Sequence, residues 1–124
     1  LILTEQGQVS EAPGACLLAV RSGVLIAPPV TAGILESITR DTVLGLARAA
    51  GIAVEERPLD RTELYICTEA MLVGTGAEIT PVVGIDRLAV GDGTRGSVTK
   101  ALQDRYFALV RGEAAAPDGW LTAV

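Results

Sequence analysis

A threonine at the start of a predicted helix is the first residue in this chain with the type and setting to hold a ligand. Apolar residues recur at helical spacing between Thr39 and Ala50, with Thr39 as the predicted N-cap and Gly51 as the predicted stop. The N-terminus of a helix leaves free N–H groups and a partial positive charge, which suit a phosphate group. The threonine hydroxyl adds a further donor. A plainer interpretation stays open, because most threonine-capped helices bind no ligand.

A glycine-flanked turn and a carboxylate are two further candidates. Gly74-Thr75-Gly76 follows a short apolar run, and its glycines allow the backbone to approach a ligand closely. It could equally be an ordinary turn at the end of a strand. Glu11 lies between two predicted strands, where a carboxylate is usually solvated. Neither loop has the G-x-x-x-x-G-K-[ST] pattern of phosphate loops or the G-x-G-x-x-G pattern of dinucleotide sites.

Composition limits the kinds of protein and partner. The 124 residues fit one domain, and with 49% hydrophobic but 3% aromatic residues its core must be aliphatic. A net charge of -5 argues against nucleic acid or an anionic membrane as partner, and no apolar run is long enough to predict a transmembrane helix. Cys16 and Cys67 predict free thiols in a reducing, cytoplasmic setting rather than a disulfide framework or a metal site. The absence of histidine excludes Ser-His-Asp catalysis and most zinc sites.

The elements that must position these candidates alternate between strands and helices. The pattern predicts helices over 39–50 and 97–110, and Asp60 as the cap of a short helical turn through Tyr65. Gly91-Asp92-Gly93 is predicted to be a plain loop. Because several strands pair as hairpins, the sheet should be mixed rather than purely parallel. Strands are predicted over 1–3, 15–21, 24–27, 52–57, 70–73 and 79–85.

The candidates recur in an order and spacing that resemble one enzyme family. The segments are Val9-Ser10-Glu11, Ile38-Thr39-Arg40-Asp41, Gly74-Thr75, Ala77-Glu78-Ile79-Thr80-Pro81, Gly91-Asp92-Gly93 and Gly119-Trp120-Leu121. Together they are similar to the C-terminal domain of the class IV, or fold-type IV, aminotransferases that use pyridoxal 5'-phosphate. The branched-chain amino-acid aminotransferases are the most similar members. The resemblance implies an α/β fold with a mixed, barrel-like sheet and flanking helices, and residues 1–124 as a single cofactor-binding domain of a longer protein.

The same resemblance implies roles for seven residues. Five would bind the cofactor: Glu11, Leu35, Ile38, Thr39 and Thr75. Glu11 would pair with the protonated pyridine nitrogen, and Leu35 would pack under the ring. The N–H groups of Ile38 and Thr39 and the Thr39 hydroxyl would hold the phosphate, with Thr75 on its other side. Gly76 and Ala77 would offer backbone donors to the substrate carboxylate.

Lys100, the sole lysine, does not match the family's Schiff-base lysine, because it lies on the predicted C-terminal helix. In the family that lysine falls upstream of the part this chain resembles. We therefore predict that a missing N-terminal domain supplies it, that this chain contributes no catalytic residue or metal ligand, and that the chain alone is inactive. The resemblance implies a parent protein that is a homodimer and moves an amino group between a branched-chain amino acid and a 2-oxo acid.

Two segments depart from the family pattern. After Glu11 the family usually has Gly-x-Gly-Glu-Asn, where this chain has Ala12-Pro13-Gly14-Ala15-Cys16, and Glu36-Ser37 replaces the usual Pro-Gly. These departures leave two alternatives open. One is an aminodeoxychorismate lyase or a D-amino-acid aminotransferase, and the other is a non-catalytic relative with a binding or structural role.

Overall fold

A computed structural model describes residues 1–120, and a five-stranded sheet forms its centre. The strands are β1 (Cys16–Arg21), β2 (Val24–Ala27), β3 (Ala53–Glu56), β4 (Glu69–Gly74) and β5 (Glu78–Pro81). They lie in the order β3-β2-β1-β4-β5. The pair β2–β3 is parallel and the other pairs are antiparallel, so the predicted mixed sheet is confirmed. Within residues 1–120 the sheet is open rather than barrel-like, because its edge strands β3 and β5 do not pair with each other.

Two helices cover one face of this sheet. They are α1 (Ile38–Ala49) and α2 (Ser97–Val110), and the predicted bounds of α2 are confirmed. Their apolar sides pack on β1 and β4 around Leu18, Met71 and Leu102. A second buried cluster, centred on Leu17, lies on the other face beneath the loops. No helix in the described part of the chain is long and apolar enough to cross a membrane.

Two of the predicted strands differ from those observed. The predicted strand at 1–3 is wrong, because the segment is joined only through an isolated bridge between Leu3 and Val9. The predicted strand at 79–85 is also wrong, because β5 ends at Pro81, which cannot donate to a ladder. A separate two-stranded sheet of β6 (Gly84–Ile85) and β7 (Leu88–Ala89) follows.

The loop before α2 contains Gly91-Asp92-Gly93, and the prediction of a plain loop there is confirmed. Gly91 has a φ of 57°, and a side chain there would collide with the carbonyl oxygen of Thr68. The N-cap of α2 is Gly96, which has no capping side chain. Glu69 of β4 caps the helix instead, accepting from the N–H of Val98 at 2.9 Å and from the N–H and Oγ1 of Thr99, each at 2.7 Å. The sequence pattern did not predict this contact.

The predicted turn after Asp60 is confirmed as a 3-10 helix over Arg61–Tyr65. The backbone N–H of Asp60 lies 3.4 Å from Glu63 Oε1. The Glu63 carboxylate also accepts from Arg21 at 2.8 Å and from Arg57 at 2.9 Å. We call Arg21, Arg57 and Glu63 the Glu63 cluster. Hydrogen bonds from Arg57 are the main reason that the pKa of Glu63 falls to about 2.

Candidate functional site

A pocket of about 310 Å³ lies at the N-terminus of α1. It forms where the loop before α1, the loop before β1 and the turn after β4 meet. Among the seven site residues predicted from the sequence, five line the pocket, and Thr39 and Ala77 do not. The five that line it are Glu11, Leu35, Ile38, Thr75 and Gly76.

The first turn of α1 supplies the donors of this pocket, although the predicted cap is wrong. Ser37, not Thr39, is the N-cap, and its Oγ accepts from the N–H of Arg40 at 3.2 Å. Both side chains suit a cap, but the core face of the helix includes Thr39, which is 7% exposed. Helix geometry gives the N–H groups of Ile38 and Thr39 no carbonyl partner inside α1, so they can serve an anion.

A hydrogen bond links Glu11 directly to the backbone of Leu35. The N–H of Leu35 donates to Glu11 Oε2 at 3.0 Å, and the Cys16 thiol lies 3.8 Å from the carbonyl oxygen of Leu35. These contacts hold the loop before α1 against the start of β1. A carboxylate can accept several hydrogen bonds, so Glu11 keeps capacity for another donor. Leu35 and Ile38 are 76% and 89% exposed, which leaves apolar surface at the pocket.

The turn after β4 closes the other side of the pocket. A Cβ at Gly74 would lie 2.9 Å from the carbonyl oxygen of Gly14, so glycine is required for this close backbone approach. The approaching group is thus another loop of the chain, not a ligand. Thr75 and Gly76 are exposed beside it. Ala77 points its carbonyl at Thr80, accepting from Oγ1 at 2.7 Å.

The pocket is acidic in its side chains. Glu11 and Glu36 line it, whereas no lysine or arginine does within the described residues. Burial is the main reason that the pKa of the Cys16 thiol is raised, and the charge of Glu11 raises it further. Arg40 lies behind the pocket, buried against Pro28 O and Glu56, both at 2.9 Å. Positive potential at the pocket comes from the helix terminus and from Arg40, whose charge partly offsets the rise in the Cys16 pKa.

Sequence and structure comparisons identify the family. Residues 1–85 match the family described as Amino-transferase class IV. The chain belongs to this family. The whole chain is 44% identical to the branched-chain-amino-acid aminotransferase of Salmonella typhimurium, of which it covers 40%. The class IV family resemblance seen in the sequence is thus confirmed.

Solved structures of class IV relatives agree with the fold. A branched-chain amino acid aminotransferase from Escherichia coli superposes with a TM-score of 0.93 and 43% identity, over 98% of this chain and 41% of that one. The enzyme from Thermobaculum terrenum, solved in its PLP-form, superposes with a TM-score of 0.89 and 51% identity, over 92% of this chain and 38% of that one. This chain therefore spans about 40% of the length of the relatives it matches.

The pocket also suits pyridoxal phosphate, the cofactor that the family implies. Its helix N-terminus offers donors to a phosphate, Glu11 offers an acceptor to a protonated ring nitrogen, and Leu35 offers exposed apolar surface to a ring. Sequence reasoning did not single out Ser37 or Cys16 as parts of this pocket. A serine just before a periodic apolar segment is a helix-start signal, so Ser37 could have been found. The position of Cys16 depends on a contact across 19 residues.

Proposed function

We propose that this chain is the cofactor-binding domain of an aminotransferase that moves an amino group between a branched-chain amino acid and a 2-oxo acid. The observation that carries the proposal is the pocket at the start of α1, which pairs anion donors with Glu11 inside a class IV fold. The relatives whose names give this activity support the choice of substrate. They also favour it over an aminodeoxychorismate lyase, a D-amino-acid aminotransferase or a non-catalytic relative.

Each pocket residue has a role in this proposal. Bound pyridoxal phosphate supplies the electron sink that makes transfer of the amino group feasible. Glu11 keeps a proton on the ring nitrogen, and Leu35 packs against the ring. In the proposal, Ile38, Thr39 and Thr75 hold the phosphate; Ile38 and Thr75 line the pocket, whereas Thr39 is buried and does not.

The substrate side is served by the turn after β4. In the proposal, Gly76 and Ala77 offer backbone N–H groups to the substrate carboxylate. Gly76 lines the pocket and Ala77 lies just beyond it. Because the pocket side chains carry negative charge, backbone donors are the groups of this chain best suited to a carboxylate.

We propose that the lysine amine that the reaction needs comes from outside this chain. Lys100 is on α2, where it pairs with Asp104, and it does not line the pocket. We propose that an N-terminal domain supplies the lysine, because the relatives are longer than this chain. The isolated chain should then be inactive. The homodimer and the cytoplasmic location stay predictions.

A comparison of the complete protein with the isolated chain tests the proposal. The complete protein should transfer the amino group of leucine, isoleucine or valine to a 2-oxo acid, and the isolated 124 residues should not. Glu11→Gln should lower the rate of the complete protein, whereas Glu5→Gln, at an exposed turn, should not. Transamination by the isolated chain that disappears in Lys100→Ala would refute the proposal. Activity of the complete protein on aminodeoxychorismate alone would refute the substrate assignment.

A further inference from the structure

Ser37 is the point where the two segments that depart from the family pattern meet. Cys16 belongs to one segment and Ser37 to the other, and both line the pocket at the start of α1. Burial raises the pKa of the Cys16 thiol, and the charge of Arg40 and a hydrogen bond from the Ser37 hydroxyl offset part of that rise. Ser37 thus lies inside the pocket rather than beside it.

The helix cap does not use the O–H of Ser37. Its oxygen accepts the N–H of Arg40 at 3.2 Å, which is the capping bond of α1. A hydroxyl accepts through its lone pairs and donates through its single O–H, so capping leaves that O–H available to the Cys16 sulfur or to a stronger acceptor such as a phosphate. That donor lies next to Ile38, whose N–H is turned out of the helix terminus.

The negative charge around the pocket is the reason that an uncharged donor would help to bind a phosphate. Glu36 adds a carboxylate beside a site that is to hold a phosphate, and no basic side chain among the described lining residues opposes it. An O–H donor strengthens anion binding without adding a charge that would need its own partner. Replacing Pro-Gly by Glu36-Ser37 therefore introduces both the repulsion and a group that counters it.

We propose that Ser37 donates its hydroxyl proton to the phosphate of pyridoxal phosphate, as a ligand additional to Ile38, Thr39 and Thr75. The inference rests on the proposed function, since it concerns the same pocket. Ser37 then has two roles. Its Oγ caps α1 through a lone pair, and its O–H binds the phosphate of the cofactor.

Three variants of the complete protein separate the capping role of Ser37 from its role in phosphate binding. Ser37→Thr keeps both the cap and the donor. Ser37→Gly removes the hydroxyl, but glycine is nearly as good an N-cap as serine, so α1 should remain stable. Ser22→Gly is the matched control, because Ser22 lies in an exposed turn with a φ of 52° that glycine adopts easily.

Binding of pyridoxal phosphate and of pyridoxal, which lacks the phosphate, is then measured by absorbance titration of the cofactor-free protein. Ser37→Gly should raise the Kd for pyridoxal phosphate roughly 10-fold, as expected for a hydrogen bond to a charged group. Its Kd for pyridoxal should not change. The phosphorus NMR signal of the bound cofactor should shift in Ser37→Gly, while Ser37→Thr and Ser22→Gly keep wild-type values.

Three results would overturn the inference. An unchanged Kd and phosphorus signal in Ser37→Gly would show that the hydroxyl does not bind phosphate, while cofactor binding by the wild-type protein would leave the proposed function intact. An equal loss of affinity for pyridoxal would assign Ser37 a structural role only. Failure of the complete wild-type protein to bind pyridoxal phosphate would refute the proposed function together with the inference.

Discussion

Replacing Glu69 by glutamine tests the long-range cap of helix α2. Oε1 accepts the N–H of Val98, and Oε2 accepts both the N–H and the hydroxyl of Thr99. Glutamine keeps one acceptor oxygen and places an NH₂ group at the other position, so at least one of these donors would face a donor. Because Thr99 is 1% exposed, water has little access to replace the lost bond there.

The magnitude follows from the type of bond. A hydrogen bond to a charged acceptor contributes about 1.5–3 kcal/mol, so Glu69→Gln should destabilise the start of α2 by about 2 kcal/mol. Glu69→Ala leaves three donors without their acceptor and should cost about 4 kcal/mol. Since the first turns of α2 pack on β4, the loss should be local before it is global.

Amide hydrogen exchange in the complete protein measures this loss directly. For Glu69→Gln we expect the amides of 98–104 to exchange roughly 30-fold faster, the equivalent of about 2 kcal/mol. Amides of α1 should change much less, and Glu5→Gln, in an exposed turn, should change neither helix. Exchange within about twofold of wild type in Glu69→Gln would refute the idea that the carboxylate caps α2.

Three further predictions concern acid stability, cofactor affinity and a strained glycine. The pKa of Glu63 is held at about 2, below its ordinary 4.5, so its stabilisation is present above pH 4.5 and is lost as the pH falls toward 2. The urea midpoint should therefore drop between neutral pH and about pH 3 by the equivalent of about 1–2 kcal/mol, a figure reduced because the arginines of the Glu63 cluster are part-exposed. An equal drop in the Glu63→Gln variant would contradict this prediction. Glu36→Gln should tighten pyridoxal phosphate binding about twofold at low salt and not at about 0.5 M salt, whereas a gain that persists at high salt would argue against an electrostatic cause. Gly91→Ala should lower the free energy of unfolding by about 2–4 kcal/mol, because it combines a positive φ with a collision at Thr68. Gly93→Ala should lower it less, because Gly93 also has a positive φ but has space for a Cβ. Equal losses in the two variants would refute the collision.

The sequence by itself determined the local elements and the family. The hairpin of β1 and β2 and the two long helices follow from turn residues and apolar spacing, which depend on neighbours a few residues apart. The order of short motifs was enough to indicate the class IV family and to predict that Glu11, Ile38 and Thr75 share one pocket, and all three line it. Their roles toward a cofactor stay predictions.

Only the tertiary structure decided how these pieces meet. The choice of Ser37 over Thr39 as cap depends on which side chain the core face of α1 includes, and local cap preference cannot distinguish two good capping residues. Glu69 caps α2 from 30 residues away in sequence, and no local pattern contains that distance. The same holds for the meeting of Cys16 with Ser37 and for the open edges of the sheet. Such contacts arise from the packing of whole elements, whereas the sequence pattern reports mainly on the elements themselves.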